Sequence, residues 1–309
     1  MAILFISDSD SPAEWLKELQ ELSPNIDFRV WPNLGNTDDI ETALVWKAPP
    51  GALANLPNLS LIQSLGAGID HIFSDPQLPT GVPIARLVDK ELTRQMVEYS
   101  VLAVLNRHRR AETLREAASE HRWHVVPSTP LEQSRIGVLG LGEIGLSIAQ
   151  TLADLGFIVQ GWSRSQKTIA KIKCHQGLSG LETMLSTTDI LICALPLTRA
   201  TNAILNTKTL SLLPRNSYLV NLARGEHLVE KDLLTLINKG HLAGAFLDVF
   251  EKEPLPQNHP FWDHPNITVT PHLAGLTIAA SAADQVVENI RLVGTGKPPL
   301  HQVDPRQGY

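Results

Sequence analysis

The sequence predicts an α/β protein with two domains built on parallel β-sheets. Short apolar runs alternate with amphipathic helical segments along most of the chain, which is typical of βαβ units. A glycine-rich turn joins one of these runs directly to a helical segment. The length of 309 residues exceeds that of an average single domain and is sufficient for two.

The composition is that of an ordinary globular protein, with 43% hydrophobic and 19% charged residues. The net charge of −6 gives no electrostatic reason to expect a nucleic acid or an acidic membrane as a partner. The one basic cluster, 107–110, is short and is interpreted as a solvated or subunit-facing helix surface. No apolar stretch is long enough to span a bilayer. We therefore expect neither a nucleic-acid nor a membrane partner.

The two cysteines exclude a disulfide framework and a four-cysteine zinc site. Cys193 lies in the apolar run "ILICAL" and is expected in the core, whereas Cys174 next to His175 lacks a second pair that would complete a metal site. The first residues, "MAILFISDSD", lack the basic start and long apolar region of a signal peptide and are interpreted as a first strand. The expectation is a cytoplasmic protein without a metal.

Several segments of the first third alternate between strand and helix patterns. The segment "SPAEWLKELQEL" predicts a helix with Ser11 as N-cap and Pro12 at the first helical position. A long helical pattern over 89–120 requires a bend, and we expect it to hold the crossing into the second domain. A last helix from about Thr277 could return to the first domain. The strand candidates are "AILFIS", "ALVWK", "LSLIQSLG", "VPIARL", "RIGVLG", "FIVQGW", "ILICAL", "SYLVNL", "GAFLDVF" and "ITVTPH".

The glycine-rich turn has the spacing of a dinucleotide-binding motif. An apolar strand precedes it, and a helix with one apolar face follows it. In such a turn the first glycine permits a tight bend, the second lets the backbone approach a pyrophosphate, and the third lets helix and strand pack closely. A structural turn without a ligand is the alternative interpretation. The residues expected to contact the dinucleotide are Gly140, Gly142, Glu143, Ile144 and Gly145.

The next strand ends where NAD-binding proteins carry an acidic residue that bonds the ribose hydroxyls. Ser163 occupies this position, and Arg164 and Ser165 follow it, with Lys167 as a further donor. An acidic residue would repel a 2′-phosphate, whereas serine removes that repulsion and arginine offers a planar charged fork. The sequence therefore predicts NADP as cofactor, with NADPH preferred over NADH. The alternative is that Arg164 is an ordinary loop arginine.

Three ionisable residues follow strand candidates in the second half: Arg224, Glu253 and His272. In an open parallel sheet the ligand crevice lies at the carboxyl ends of the strands, so these residues could converge. Histidine has a pKa of ~6.5, which suits proton delivery to a carbonyl oxygen, and a carboxylate would orient its ring. Arginine can grip a substrate carboxylate. Singly, each residue is explained by an ordinary ion pair, surface acid or loop histidine. Together they suit the reduction of a 2-oxo acid.

These segments resemble the D-isomer-specific 2-hydroxyacid dehydrogenase family. The resemblance covers most of the chain, in the order of the family. The stretches that carry it are "SLGAGIDHI", "VLGLGEIG", "LPLTRATNAILN", "LLPRNSYLVNLARGEHLVEKDLL", "GAFLDVFEKEPLP" and "FWDHPNITVTPHLAG".

The resemblance implies two Rossmann-like parallel-sheet domains with an interdomain cleft. The substrate domain would consist of 1–98, completed by 283–309, and the NADP-binding Rossmann domain of 99–282. The family also implies a homodimer, with the helical region 102–124 reaching across the subunits.

The same resemblance assigns roles to individual residues. His272 would donate the proton, paired to Glu253, and Arg224 would hold the substrate carboxylate. A backbone loop would present N–H groups to that carboxylate, and its members are Gly66, Ala67 and Gly68, with Trp46 lining the pocket. Residues implied to flank the cofactor are Leu195, Pro196, Leu222, Ala223 and Asp248.

The expected activity is NADPH-dependent reduction of small 2-oxo acids, glyoxylate to glycolate and hydroxypyruvate to D-glycerate. One alternative is a dehydrogenase for a bulkier 2-oxo acid, because spacing does not reveal the shape of the pocket. Another is a catalytically vestigial NAD(P)-sensing protein that binds a partner, although a sensor would not need a proton donor. A serine hydrolase is excluded because there is no G-x-S-x-G motif, and "VGTGKPP" lacks the spacing of a phosphate-binding P-loop.

Overall fold

The computed structural model describes residues 2–306 and 308 of the chain. It divides into two compact units, one formed by Met1–Leu92 with Leu276–Tyr309 and the other by Thr93–Gly275. The boundaries lie a few residues away from those expected for the substrate and cofactor domains. The roles assigned to the two domains stay predictions.

The first unit contains a parallel sheet with the order β2-β1-β3-β4-β5. This order is that of the flavodoxin-like doubly wound fold. The strand β2 was not expected, because its sequence "DFRV" is short and half polar and lies at the sheet edge. The strands are β1 (Ala2–Ile6), β2 (Asp27–Val30), β3 (Ile40–Val45), β4 (Leu61–Ser64) and β5 (Ile84–Ala85).

Helices cover this sheet, and two of them, from opposite ends of the chain, pack together on one face. Trp15 and Leu19 of the first helix enter the same apolar cluster as Ala282 and Val286 of the last. Ser11 accepts a hydrogen bond from the backbone N–H of Glu14, as the N-cap prediction requires. The helices are α1 (Pro12–Leu22), α2 (Asp70–Phe73) and α9 (Ala279–Gly294).

The second unit contains a parallel sheet with the order β12-β11-β10-β9-β6-β7-β8. Counted from β6, this order is the Rossmann order with one strand added beyond the sixth. The unexpected strand β8 has the polar sequence "IKCHQ" and lies at the edge. The strands are β6 (Arg135–Leu139), β7 (Ile158–Ser163), β8 (Ile172–Gln176), β9 (Ile190–Cys193), β10 (Ser217–Asn221), β11 (Leu242–Leu247) and β12 (Ile267–Val269).

The long helical pattern is realised as two helices, α3 (Lys90–His108) and α4 (Ala111–Ser119). Arg110 breaks the pattern with a left-handed backbone, φ +53°. The predicted bend is therefore confirmed, and the boundary between the two units falls within α3. The other helices are α5 (Glu143–Asp154), α6 (Gly177–Leu185), α7 (Thr207–Leu210) and α8 (Glu230–Asn238).

In the second unit, the glycine turn, Arg224, Glu253 and His272 all follow the carboxyl ends of strands of one sheet. All its strand pairs are parallel, so the carboxyl ends of its strands lie on the same side. The neighbours β6 and β9 form the point where strand order reverses, and ligands of open α/β sheets bind in the crevice at such a point. The predicted α/β fold class is confirmed. Among the described residues, no helix is long and apolar enough to cross a membrane.

Candidate active site

The glycine turn between β6 and α5 is built around close backbone approaches. Gly140 has φ +94°, and a Cβ on it would lie 2.6 Å from the carbonyl oxygen of Ala194. A Cβ on Gly145 would collide with the carbonyl oxygen of Gly140. These two positions therefore require glycine for internal packing.

Gly142 differs, because the space beside it is open. Among the described residues, none beyond its chain neighbours comes within 4 Å of the position that its Cβ would take. Gly142 is the N-cap of α5, and Glu143 and Ile144 begin the helix, where backbone N–H groups lack partners within the helix. An open surface beside unpartnered N–H groups at the positive end of a helix dipole fits a phosphate group of a dinucleotide.

The turn is joined to the end of β7 by three contacts. The backbone N–H of Gly140 donates to the carbonyl oxygen of Trp162 at 2.9 Å. A Cβ on Gly161 would lie 2.5 Å from Cδ2 of Leu141, so glycine at this position lets the Leu141 side chain pack on the strand. Nζ of Lys167 donates to the carbonyl oxygen of Leu141 at 2.7 Å. The segment after β7 therefore supports the glycine turn directly.

A buried serine, Ser163, occupies the position at the end of β7 where NAD-binding proteins carry an acidic residue. Oγ of Ser163 donates to the carbonyl oxygen of Ser165 at 2.8 Å, which folds the chain into a short loop. Arg164, at the tip of this loop, is exposed. The loop thus presents a cation where an NAD-binding protein has a carboxylate.

The residues expected to flank the cofactor follow the central strands of the same sheet. Leu195 and Pro196 come after β9, and the backbone N–H of Ala194 donates to the carbonyl oxygen of Leu139 at 2.8 Å. Leu222 and Ala223 come after β10 and are buried. All four residues therefore lie at the carboxyl ends of the strands, on the same side of the sheet as the glycine turn.

Arg224 lies in a tightly held loop after β10. Its carbonyl oxygen accepts a hydrogen bond from Nδ2 of Asn221 at 2.9 Å, and its Nη1 donates to the carbonyl oxygen of Ala223 at 2.7 Å. A Cβ on the next residue, Gly225, would collide with the carbonyl group of Phe250. Glycine therefore lets the arginine loop lie directly against the loop that leads to Glu253.

The structure brings His272 and Glu253 together. Nδ1 of His272 lies 2.8 Å from Oε2 of Glu253, and both side chains are partly buried. The other carboxylate oxygen, Oε1, accepts from the backbone N–H of Phe250 at 3.2 Å. Because Nδ1 faces the carboxylate, Nε2 is the ring nitrogen that can form a hydrogen bond to a substrate.

Asp248 holds the loop that carries His272. Its Oδ1 accepts from Oγ1 of Thr270 at 2.7 Å and from the backbone N–H of Leu273 at 3.1 Å. Its Oδ2 accepts from the backbone N–H of Ala274 at 2.8 Å, and its own carbonyl oxygen accepts from the backbone N–H of His272 at 2.8 Å. His272 itself has φ +51°, a left-handed conformation that this buried carboxylate supports.

The loop after β4 in the first unit is organised by Ser64. Oγ of Ser64 donates to the carbonyl oxygen of Gly68 at 3.0 Å and accepts from the backbone N–H of Gly66 at 3.2 Å. A Cβ on Gly66 would lie 2.5 Å from the ring of Trp46, which explains that glycine by packing. His71 packs on Trp46, with ring centroids 4.6 Å apart. The amide of Gly66 is thus engaged within the loop, which leaves the amides of Ala67 and Gly68 as its candidate donors to a ligand.

Several residues that support the site by hydrogen bonds have no recognisable pattern in the sequence. Asn221 and His227 support the arginine loop, and Phe250 supports Glu253, but each looks like an ordinary strand-end or turn residue. Asp248 was expected beside the cofactor, and its hydrogen bonds to the His272 loop were not foreseen. Only its position two residues before "FEKEP" and after a buried strand could have pointed to it.

Comparison with known proteins places the chain in a family. The family described as "D-isomer specific 2-hydroxyacid dehydrogenase, NAD binding domain" matches residues 101–274. A protein of Photorhabdus laumondii named glyoxylate/hydroxypyruvate reductase A is 42% identical over 314 aligned positions, covering 100% of both chains. A protein of the same name from Yersinia enterocolitica is 40% identical, also over 100% of both chains.

Solved structures agree with this likeness. A D-isomer-specific 2-hydroxyacid dehydrogenase from Xanthobacter autotrophicus Py2, in complex with NADPH and MES, is 41% identical with a TM-score of 0.96, over 100% of this chain and 99% of that one. An NADPH-dependent glyoxylate/hydroxypyruvate reductase from Sinorhizobium meliloti, in complex with NADP and sulfate, is 34% identical with a TM-score of 0.93, over 100% of both chains. The chain therefore belongs to the D-isomer-specific 2-hydroxyacid dehydrogenase family and is an oxidoreductase.

Proposed function

We propose that this enzyme uses NADPH to reduce small 2-oxo acids, glyoxylate to glycolate and hydroxypyruvate to D-glycerate. The observation that carries the proposal is the pair of His272 and Glu253, whose side chains lie 2.8 Å apart. The pair lies at the carboxyl ends of the strands, on the side of the sheet that also holds the glycine turn and Arg224. Full-length identity of 42% to a glyoxylate/hydroxypyruvate reductase A supports the choice of substrates.

NADP is the cofactor that the glycine turn and the loop after β7 fit. The open face at Gly142 and the N-terminus of α5 receive the pyrophosphate. Arg164 and Ser165 are the candidate readers of the 2′-phosphate, because Ser163 leaves no carboxylate to repel it. The relative from Xanthobacter autotrophicus Py2 was solved with NADPH, which supports the same assignment.

The chemistry requires a proton at the substrate's carbonyl oxygen. When bound, the reduced nicotinamide supplies a hydride to the carbonyl carbon, and negative charge develops on the oxygen. Nε2 of His272 delivers the proton to that oxygen. The Glu253 carboxylate fixes the orientation of the ring through Nδ1.

Arg224 holds the carboxylate of the 2-oxo acid. A guanidinium can make two parallel hydrogen bonds to a carboxylate, which orients the neighbouring carbonyl group. In the first unit, the backbone N–H groups of Ala67 and Gly68 are proposed as donors to a ligand carboxylate, and Trp46 is proposed to border that ligand. The support for this step is that the Arg224 loop is held by Asn221 and lies against the Phe250 carbonyl, so its position is fixed before substrate binds.

The chain forms a homodimer in which the helical region 102–124 reaches across the subunits. Its apolar side chains there are unusually accessible, with Trp123 96% exposed and Val125 75% exposed. Leu114 of α4 is exposed as well. Light scattering after size exclusion should give twice the chain mass. A monomer at micromolar concentration would refute the dimer.

The test of the function is a substrate panel with NADPH and with NADH. We expect the highest kcat/KM for glyoxylate and hydroxypyruvate with NADPH, and lower values for pyruvate and for branched and aromatic 2-oxo acids. A maximum with a bulky acid would move the assignment to that substrate class. Tight NADPH binding with no turnover of any 2-oxo acid would instead favour the sensor.

The matched variant is His272→Ala. It should lower kcat by about 10²–10⁴-fold, the usual contribution of a general acid, while the Kd of NADPH changes little. Near-normal turnover in this variant would exclude His272 as the proton donor.

A further inference from the structure

A completely buried histidine, His227, joins the two loops that the proposed function uses for different ligands. It lies three residues after Arg224, at the end of a 3₁₀ turn, and its exposure is 0%. The proposed reaction gives this ring no chemical role. Its position nevertheless connects the substrate-binding arginine with a loop assigned to the cofactor.

Both ring nitrogens of His227 face backbone carbonyl groups. Nδ1 lies 3.2 Å from the carbonyl oxygen of Arg224, and Nε2 lies 3.3 Å from the carbonyl oxygen of Pro196. A carbonyl oxygen only accepts hydrogen bonds, so the ring acts here as a donor. A ring with one N–H group donates a hydrogen bond to one of the two carbonyl oxygens, and a ring with two N–H groups donates to both.

Each of these carbonyl groups is also held by a second side chain. Nδ2 of Asn221 donates to the Arg224 oxygen at 2.9 Å, and Oγ1 of Thr201 donates to the Pro196 oxygen at 2.7 Å. The imidazole therefore bridges two carbonyl groups that are already fixed in their own loops. A shift of one loop is transmitted to the other through a rigid ring.

Backbone pairing reinforces the same connection. The N–H of Ala203 donates to the carbonyl oxygen of Glu226, and the N–H of Leu205 donates to that of His227, both at 2.8 Å. The N–H of Val229 donates back to the carbonyl oxygen of Leu205 at 2.9 Å. The segment that begins at Pro196 and the segment that begins at Arg224 thus form one hydrogen-bonded body.

We propose that His227 is a positioning residue that couples binding of the 2-oxo acid carboxylate at Arg224 to binding of the nicotinamide cofactor beside Pro196. The inference rests on the proposed function for the roles of these two loops. Because coupling between two ligands is reciprocal, each ligand should tighten the other by the same factor, and the bridge should be required for that factor.

The experiment measures the Kd of NADPH by fluorescence, without oxalate and with saturating oxalate, a dicarboxylate that cannot be reduced. In the wild-type enzyme we expect oxalate to lower the Kd of NADPH about tenfold, within the usual range of coupling between sites. His227→Phe replaces the imidazole with a somewhat larger apolar ring that has no N–H donor, and should lose most of this factor. The KM for glyoxylate should rise about tenfold in this variant, with kcat within about threefold, because the proton donor is untouched.

A matched control separates coupling from general destabilisation. His175 is also a buried histidine of the second unit, with Nε2 3.0 Å from Oε1 of Gln160. It lies on the edge strand β8 and belongs to neither loop. His175→Phe should lower the melting temperature and keep the oxalate effect. If His227→Phe does not fold, His227→Gln, which keeps an amide donor, should show a partial loss of coupling.

Three outcomes would overturn the inference. They are an unchanged oxalate effect in His227→Phe, an equal loss in His175→Phe, and the absence of any oxalate effect in the wild-type enzyme. The proposed function is tested separately, by turnover of glyoxylate and hydroxypyruvate in the wild-type enzyme. Its failure is therefore distinguishable, because the binding measurement involves no turnover.

Discussion

Nδ1 of His272 lies 2.8 Å from Oε2 of Glu253, although 19 positions separate the two residues along the chain. The pair arises from the order of the sheet. Glu253 follows β11 and His272 follows β12, and these strands are parallel neighbours, so the segments after them start side by side. The carboxylate is fixed in turn by the backbone N–H of Phe250. The geometry holds the ring in a defined orientation before any substrate is present.

Replacing Glu253 with Gln should lower activity. The carboxylate lies 2.8 Å from Nδ1 of His272 and fixes the orientation of the ring. A carboxamide has one accepting oxygen and one donating NH₂ group, so it can turn either group toward Nδ1 and holds the ring less firmly. We expect kcat/KM at neutral pH to fall about 10²-fold, with the Kd of NADPH nearly unchanged. The measurements are kcat/KM for glyoxylate and the Kd of NADPH.

Glu251→Gln provides the control for Glu253→Gln. It removes the same charge two positions earlier, from an exposed residue. Its kcat/KM for glyoxylate should match that of the wild type. If both variants, or neither, lost activity, Glu253 would not be the partner that orients His272.

Asp248→Asn should disturb the proton-donor loop more than cofactor binding. The carboxylate accepts hydrogen bonds from Thr270 Oγ1 and from the backbone N–H groups of Leu273 and Ala274. An asparagine side chain has one acceptor oxygen and a donating NH₂ group, so at least one buried N–H loses its partner. The loss should cost about 2 kcal/mol in the free energy of unfolding, and kcat should fall.

The control for Asp248→Asn is Thr270→Val, which removes one hydroxyl donor and leaves the carboxylate. Its cost should be smaller, about 1 kcal/mol. Urea unfolding and steady-state kinetics distinguish the two roles of Asp248. A rise in the KM of NADPH with kcat and stability unchanged would show that Asp248 serves the cofactor and does not position His272.

Much of this fold could be predicted from the sequence, because its signals are local. The strand β9 is an uninterrupted apolar run, β6 and β10 have apolar centres, and Ser11 with Pro12 marks the start of α1. The strands β2 and β8 were missed because they are short, polar and at sheet edges, where pairing to one neighbour decides the conformation.

The site divides in the same way. The glycine turn, Arg224, Glu253 and His272 are predicted as site residues, because glycine spacing and charged residues after strands can be recognised in the chain itself. The hydrogen-bond partners that hold these residues in place were not predicted from the sequence. The contact of Lys167 with the Leu141 carbonyl, and of Asp248 with Ala274, joins positions 26 residues apart and depends on the assembled sheet. No sequence pattern encodes such pairs.

Ser163→Asp should shift the cofactor preference toward NADH. The new carboxylate would repel a 2′-phosphate and could bond the ribose hydroxyls. Arg164→Ala should lower kcat/KM with NADPH and leave kcat/KM with NADH nearly unchanged. The variant removes a cation that contacts only the 2′-phosphate, which NADH lacks. The measurement is kcat/KM for each cofactor, with glyoxylate saturating.

The control for the charge is Ser163→Ala. Oγ of Ser163 donates to the carbonyl oxygen of Ser165, so the alanine variant loses this loop contact without adding a negative charge. It should keep its preference for NADPH. Equal preferences in the aspartate and alanine variants would mean that loop geometry, and not charge, selects the cofactor.

Stability should fall in mild acid because of one buried histidine, His175, and one partly buried histidine, His108. Burial lowers the pKa of His175, with Lys173 adding repulsion, and burial beside Arg109 lowers the pKa of His108. In the unfolded chain both rings titrate near ~6.5, so below that pH the unfolded state binds more protons than the folded state. The free energy of unfolding should therefore decrease as the pH falls from about 7.5 to about 5.5. His175→Gln, which cannot titrate, should remove part of this decrease, as measured by urea unfolding at both pH values. His124→Gln changes an exposed histidine and is the control. If the His175 and His124 variants lost stability with pH as steeply as the wild type, the buried ring of His175 would have no part in the acid sensitivity.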